Sequence, residues 1–205
     1  TFYGNSYESR TLVVHNGVSS DYRFLGDYGC STEVLFVGAR PGYKNFSSLV
    51  LALSTFPHLS LVCVGGGPFA QNELVFLEKF LPGRYRHSGY VSNCELNSIY
   101  NSAFCLVYPS LYEGFGIPVL EAMAAGCPVI AVRSSSIPEV AGPAALLVET
   151  GSVEEISHAL DKLSNGHFRS ELVSKGTERA SLFSWDATFR QTMNAYEGIL
   201  GKRII

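Results

Sequence analysis

The chain has 205 residues, 46% of them hydrophobic, and a formal net charge of −3; this suits one α/β-sized domain with a sizeable core and argues against a partner built on nucleic-acid phosphates. No apolar run reaches the roughly 18 residues that a bilayer span requires. Five cysteines, odd in number and without a C-x-x-C pair, argue against a zinc or redox centre.

The chain opens on Thr1 with no initiator Met and no basic-then-apolar leader, so it is expected to be cut from something longer. Cys63 and Cys105 sit in apolar runs and are expected in the core, and the cysteine usage fits a reducing, cytoplasmic setting.

In chain order, residues 11–15 and 33–37 read as strands, short and rich in β-branched or aromatic residues. A helix follows over 45–55, where Phe46, Leu49, Val50 and Leu53 fall on one face. Next come a strand at 59–64, a helix at 72–80, a strand at 85–88 and a helix at 93–101 that opens on Asn93, a residue able to cap it. A strand at 104–108, a helix at 117–125 and strands at 129–132 and 145–148 complete the alternation. Helices at 153–163, 168–181 and 185–200 have no strand between them and are expected to wrap the outside. This pattern predicts an α/β fold: a Rossmann-like parallel sheet with helices on both faces, with its ligand where strand carboxyl ends meet helix N-termini.

Three of those junctions carry chemistry. After the strand at 104–108 the chain reads Glu113, Gly114, Phe115, Gly116, then Pro118 in the first helical turn and Glu121 about one turn inside. The glycines let a ligand approach the backbone, the helix start offers N–H groups to a phosphate, and each carboxylate can accept hydrogen bonds from a sugar diol. The plainer alternative makes Glu113 a partner of the helix dipole and Glu121 a solvated residue. After the strand at 33–37 come Arg40 and Lys44 beside glycines, a planar donor fork and a point charge suited to a diphosphate; ordinary salt bridges are the alternative. After the third strand, Gly65, Gly66 and Gly67 make a turn placed near a ligand or serving the fold alone. A nicotinamide cofactor is discounted, because no acidic residue follows at the end of the next strand. The aspartates Asp21, Asp27, Asp161 and Asp186 are far apart, so no clustered carboxylates await a divalent metal.

At these residues the chain resembles the glycosyltransferases of family 4, retaining enzymes of the two-domain GT-B architecture. Their signature, E-G-F-G-x-x-x-x-E, is matched from Glu113 to Glu121, and their strand-end Gly, Arg and Lys by Gly38, Arg40, Lys44 and Asn45, with Ala39 interposed. Asn16-Gly17-Val18, Gly89-Tyr90-Val91 and Pro138-Glu139-Val140 follow in family order. The resemblance implies that residues 1–205 are the C-terminal, nucleotide-sugar-binding domain, with the N-terminal acceptor domain absent. It implies that Arg40 and Lys44 hold the donor diphosphate in place of a metal, so that neither metal nor other cofactor is needed. Glu121 would meet the ribose, while Glu113 with the amides of Gly114, Phe115 and Gly116 would orient the sugar and phosphates. Tyr90 and Val91 would meet the base, with Gly66 and Gly67 close by. The segment Arg40, Tyr43, Lys44, Asn45 is similar to that of bacterial mannosyltransferases of polysaccharide assembly, which points to GDP-mannose. The acceptor, a glycan or lipid-linked sugar, would come through the missing domain, at the cytoplasmic membrane surface in the full-length protein; the 205-residue chain alone is expected to be inactive. The alternatives are a UDP-sugar donor, an epimerase of the same architecture, and a non-catalytic sugar-nucleotide-binding module.

Overall fold

The computed structural model describes residues 11–26 and 31–201. Six strands form one parallel sheet: β1 (Glu33–Val37), β2 (Ser60–Val64), β3 (Tyr85–His87), β4 (Cys105–Tyr108), β5 (Val129–Val132) and β6 (Leu146–Val148). Their order is β3-β2-β1-β4-β5-β6, so the chain builds outward from β1 in one direction and then restarts beside it in the other. β1 pairs with β2 along its whole length, Glu33 opposite Ser60 to Val37 opposite Val64, and with β4 through Val34–Cys105 and Leu35–Leu106.

The two-residue period of the strands sorts the core into two layers. On one face Val34, Phe36, Leu61, Cys63, Cys105, Val107 and Ile130 pack beneath α1 (Phe46–Ser54), α2 (Gln71–Phe80) and α6 (Val153–Leu163), through Leu49, Leu53, Leu77, Ile156 and Leu160. On the other, Leu35, Val62, Leu106, Tyr108, Val129 and Ala131 pack beneath α3 (Asn93–Ser102) and α4 (Ile117–Ala124), through Tyr100, Val119, Leu120 and Met123. Cys63 and Cys105 are buried as expected, Cys127 is buried too, and burial pushes the Cys63 thiol up to about 12; Cys30 lies outside the described residues.

The structure departs from the sequence reading at several points. Residues 11–15 form no strand: Leu12 and Val13 stand 62% and 63% exposed, and the segment is tied in through His15, whose ring meets Glu139 at 2.7 Å and whose carbonyl accepts from the Thr188 hydroxyl at 2.7 Å, with an isolated bridge from Val18 to Ser184 just beyond. α3 is capped by Ser92, not Asn93; its hydroxyl accepts from the Glu95 N–H while Glu95 accepts from the Ser92 N–H. α6 is a sheet-covering helix, because Ile156, Ala159, Leu160 and Leu163 make one apolar stripe against α1 and the β5–β6 edge. α7 (Gly166–Ser181) runs along α4, where Gly176 faces Met123. α8 (Trp185–Leu200) alone lies outside, with no buried residue. A short helix, α5 (Ile137–Ala141), and a 3-10 turn, Gly42–Lys44, complete the region around the sheet's carboxyl end.

Residues 65–67 show what positions the loops there. All three glycines adopt left-handed backbone, φ 71°, 72° and 76°. A Cβ on Gly66 would stand 2.3 Å from the Gly38 carbonyl oxygen, so the β1 and β2 loops touch backbone to backbone; on Gly67 it would meet nothing within 4 Å. Alanine at either site meets the same φ penalty, about 1–2 kcal/mol, but only Gly66→Ala adds overlap with rigid backbone. In urea denaturation Gly66→Ala is expected to lose at least about 2 kcal/mol more than Gly67→Ala. Equal losses would show that the two loops are not in close contact.

Candidate functional site

The strand order reverses between β1 and β4, so the helices that follow them lie on opposite faces and their loops diverge into a crevice. The two loops that flank it are the ones with the ionisable motifs. The β1 loop carries Lys44 at the end of the 3-10 turn, followed by Asn45 in left-handed backbone (φ 52°). Asparagine tolerates that conformation, and its side chain is used twice: its amide donates to the Gly151 carbonyl at 2.8 Å and its oxygen accepts from the Ser48 hydroxyl at 2.7 Å. The Leu111 N–H donates to the Tyr43 carbonyl at 2.8 Å, joining this loop to the one after β4.

Lys44 and Glu113 meet in an ion pair across the crevice, their side chains only 13% and 11% exposed. The Lys44 ammonium also donates to the Tyr108 hydroxyl at 3.4 Å. Burial, then the Glu113 charge, hold the Tyr108 phenol well above its ordinary range, so it stays protonated between the two. Arg40 is placed differently from the expectation that joined it to Lys44. Its guanidinium is 4% exposed and grips Glu73 of α2 at 2.8 and 3.3 Å, with further bonds to the carbonyls of Gly67 and Pro68, each at 3.0 Å. One nitrogen, Nη1, is buried without a partner. None of these bonds reaches Lys44 or Glu113, because Glu73, also bonded to the Ala70 N–H at the start of α2, is the nearer anion. Burial raises the Glu73 carboxyl, but the Arg40 bonds and the Ala70 N–H outweigh it and leave it below the ordinary range.

The Glu113 backbone is held by residues that sequence reasoning missed. Ser135 accepts the Glu113 N–H at 2.9 Å and donates to the Glu113 carbonyl at 2.9 Å, Ser136 donates to that carbonyl at 3.1 Å, and Ser134 donates to the Leu111 carbonyl. Three adjacent serines between a strand and a helix are the only local signal, and they look like ordinary loop residues. Gly116, at φ 98°, starts α4, and a Cβ there would collide with Ile137 at 2.6 Å. Gly114 faces open space. The Phe115 ring is an anchor, packed with His15 and Phe183 at centroid distances of 6.1 and 6.2 Å. Tyr90, after the edge strand β3, stands 88% exposed and Val91 packs against the core. Gly66 serves the contact with Gly38, while the Gly67 carbonyl is taken by Arg40.

Glu121 lies inside α4, where Tyr100, fully buried, donates to its Oε2 at 3.2 Å. Burial raises the Glu121 carboxyl above its ordinary range, and hydrogen bonds from Tyr100 and Tyr22 oppose but do not cancel that rise. No cation is among these influences. Among the described residues no three or more His, Cys, Asp or Glu gather as a metal would require.

A doubly wound parallel sheet with a lysine–carboxylate pair at its switch point defines the class: an α/β domain whose ligand lies across the carboxyl ends of the strands. The chain belongs to the glycosyl transferases group 1 family, whose model matches residues 25–179. It is 42% identical over 116 residues to the O-antigen chain mannosyltransferase B of Escherichia coli, covering 56% of this chain and 30% of that protein. It is 29% identical over 194 residues to an uncharacterised glycosyltransferase of Methanocaldococcus jannaschii, covering 93% of this chain and 54% of the other. The chain thus spans between under a third and about half the length of these relatives. Among solved structures it is similar to a sucrose-phosphate synthase from Thermosynechococcus elongatus, with a TM-score of 0.82 and 26% identity over 93% of this chain and 53% of that one. It also shares its fold with HepE of Anabaena in complex with UDP-glucose, with a TM-score of 0.77 and 18% identity over 94% of this chain and 58% of that one.

The Glu121 environment has a consequence for stability. A carboxyl whose folded value is raised binds its proton more tightly in the folded chain than in the unfolded one, so its ionisation works against folding. That contribution is favourable below the unfolded carboxylate range and is lost as pH rises through the folded one. Glu121→Gln should therefore raise the thermal midpoint of the ligand-free chain at about pH 7, with the gain shrinking toward about pH 4. A lower midpoint for the variant at neutral pH would show that the ionised carboxylate is well compensated.

Proposed function

We propose that this chain is the donor-binding domain of a metal-independent, retaining glycosyltransferase of the GT-B type, moving mannose from GDP-mannose to a glycan or lipid-linked acceptor. The observation that carries the proposal is the Lys44–Glu113 pair at the switch point, with Glu121 just beyond it in the same loop-and-helix unit. The mannose donor is supported by relatives: beside the O-antigen enzyme, the MMP alpha-(1->4)-mannosyltransferase of Mycolicibacterium hassiacum is 39% identical over 121 residues, 56% of this chain and 29% of that protein. The acceptor and the second wall of the cleft would come from a further domain.

In this reading the diphosphate lies against the start of α4, where the Ile117 N–H, the loop amides before it and the helix dipole favour an anion; Pro118 has no N–H and that of Val119 bonds the Gly116 carbonyl. Lys44 leaves Glu113 to bind the phosphates and stabilises the charge that grows on them as the sugar departs, the role a metal plays elsewhere. Glu113, released from Lys44, accepts hydrogen bonds from the sugar hydroxyls. Glu121, held by Tyr100, presents its remaining lone pairs to the ribose diol. Arg40 braces the residue 67–68 turn against α2 through Nε and Nη2, which leaves Nη1 as the nitrogen it could offer a diphosphate.

Calorimetric titration of the chain with GDP, UDP, ADP and their hexose conjugates, in EDTA, tests this. Binding without metal is expected, tightest for the GDP series, and a ligand at a hundred times its Kd should stabilise the fold by about 2.7 kcal/mol. Lys44→Ala and Glu121→Ala should each weaken nucleoside diphosphate binding by about one to two decades, the range of a charge-assisted hydrogen bond. Glu113→Ala should weaken the sugar conjugate alone. Dependence on a divalent ion would refute the metal-free mechanism, tighter binding of UDP than GDP would reassign the donor, and no binding of any diphosphate would end the reading.

A further inference from the structure

The Ser134–Ser136 run has a feature that ordinary loop serines lack. Ser135 sits at φ 48°, one of two non-glycine residues in left-handed backbone among the described residues. The other, Asn45, is of a residue type that tolerates this conformation; serine is not favoured there, and such strain persists only where the surroundings enforce it. Glycine would adopt this φ at no steric cost. What serine adds is a hydroxyl, and the hydroxyl is fully engaged: it accepts from the Glu113 N–H and donates to the Glu113 carbonyl, both at 2.9 Å.

Those two bonds have a specific mechanical effect. The N–H belongs to the peptide plane before the Glu113 Cα and the carbonyl to the plane after it. Fixing both planes fixes φ and ψ of Glu113 and hence the direction of its Cα–Cβ bond. Ser136 adds a second donor to the same carbonyl at 3.1 Å. The far end of the side chain is set separately, by Lys44. When a ligand draws Lys44 away, the serine clamp is what still aims the carboxylate.

We propose that Ser135 is a positioning residue for Glu113, holding its carboxylate in the orientation that accepts hydrogen bonds from the transferred sugar. The inference rests on the donor-site reading above. It assigns to the β5–α5 loop a part in sugar recognition that neither the E-G-F-G signature nor the lysine loop contains.

The test compares affinities of the chain for a nucleoside diphosphate and for its sugar conjugate, GDP against GDP-mannose, by calorimetry. Ser135→Gly keeps the left-handed backbone and removes the hydroxyl; Ser135→Ala removes the hydroxyl and keeps the strain. Both are expected to weaken GDP-mannose about three- to tenfold, the range of one or two ordinary hydrogen bonds, with GDP affinity within twofold of wild type. In a Glu113→Ala background, Ser135→Gly should change neither affinity, because the side chain being aimed is gone. Should Ser135→Ala fail to fold, the glycine variant carries the comparison alone. Equal loss for both ligands, no loss for either, or a loss that persists without the Glu113 side chain would each overturn the proposal. Wild-type chain that binds no nucleoside diphosphate or sugar conjugate of the GDP, UDP or ADP series would instead bring down the donor-site reading, and this inference with it; if another series binds, the same comparison is made with it.

Discussion

The constraint on which the rest depends is the restart of the sheet beside β1. Crossovers between parallel strands are right-handed, so three strands laid down in one direction place α1 and α2 on one face. Placing β4 on the other side of β1 then puts α3 and α4 on the opposite face. The loops that leave β1 and β4 must part, and nothing in the sheet fills the space between them. Backbone contact between Gly66 and Gly38 sets the floor on one side, and the bond from Leu111 to Tyr43 ties the two lips together. The site is thus a product of chain topology first and of side chains second.

Within that space the two carboxylates of the loop-and-helix unit are treated in opposite ways. Glu113 is neutralised by a cation of equal burial, an arrangement that costs much desolvation and gains Coulomb energy only while both partners stay. Glu121 has no cation, only phenols, and burial holds its proton more tightly than usual. A group kept in this way weakens the fold when it ionises. Arg40 and Glu73 form a third buried arrangement beside these, with the guanidinium serving two loop carbonyls as well as its carboxylate.

Much of this was legible in the sequence, and the exceptions share a cause. The six strands of the sheet, the parallel arrangement and the Glu113–Glu121 unit followed from local periods, turn residues and motif spacing, because each is encoded within a few neighbouring positions. The pairing of Arg40 with Glu73, the Ser135 clamp on Glu113 and the Tyr100 bond to Glu121 join residues 33, 22 and 21 positions apart. No periodicity links them until the sheet has brought them together. Residues 11–15 misled for the converse reason: Leu12, Val13 and Val14 have the composition of a strand but no partner edge, and α8 wins the contact through Ser184 and Trp185, against which Gly17 lies with no room for a Cβ.

The β1–β4 pairing also governs the order in which the molecule can assemble. Those neighbours in space are separated in the chain by two strands and three α-helices, and contacts of such long sequence separation form slowly because loop closure precedes any gain. β1 with β2, and β4 with β5, join over much shorter intervals. The seam between the two halves is therefore expected to be the last to close during folding, and Lys44 and Glu113 stand on its opposite sides. A ligand that bridges them would recognise only chains in which that final closure has occurred, and would hold the seam shut by mass action.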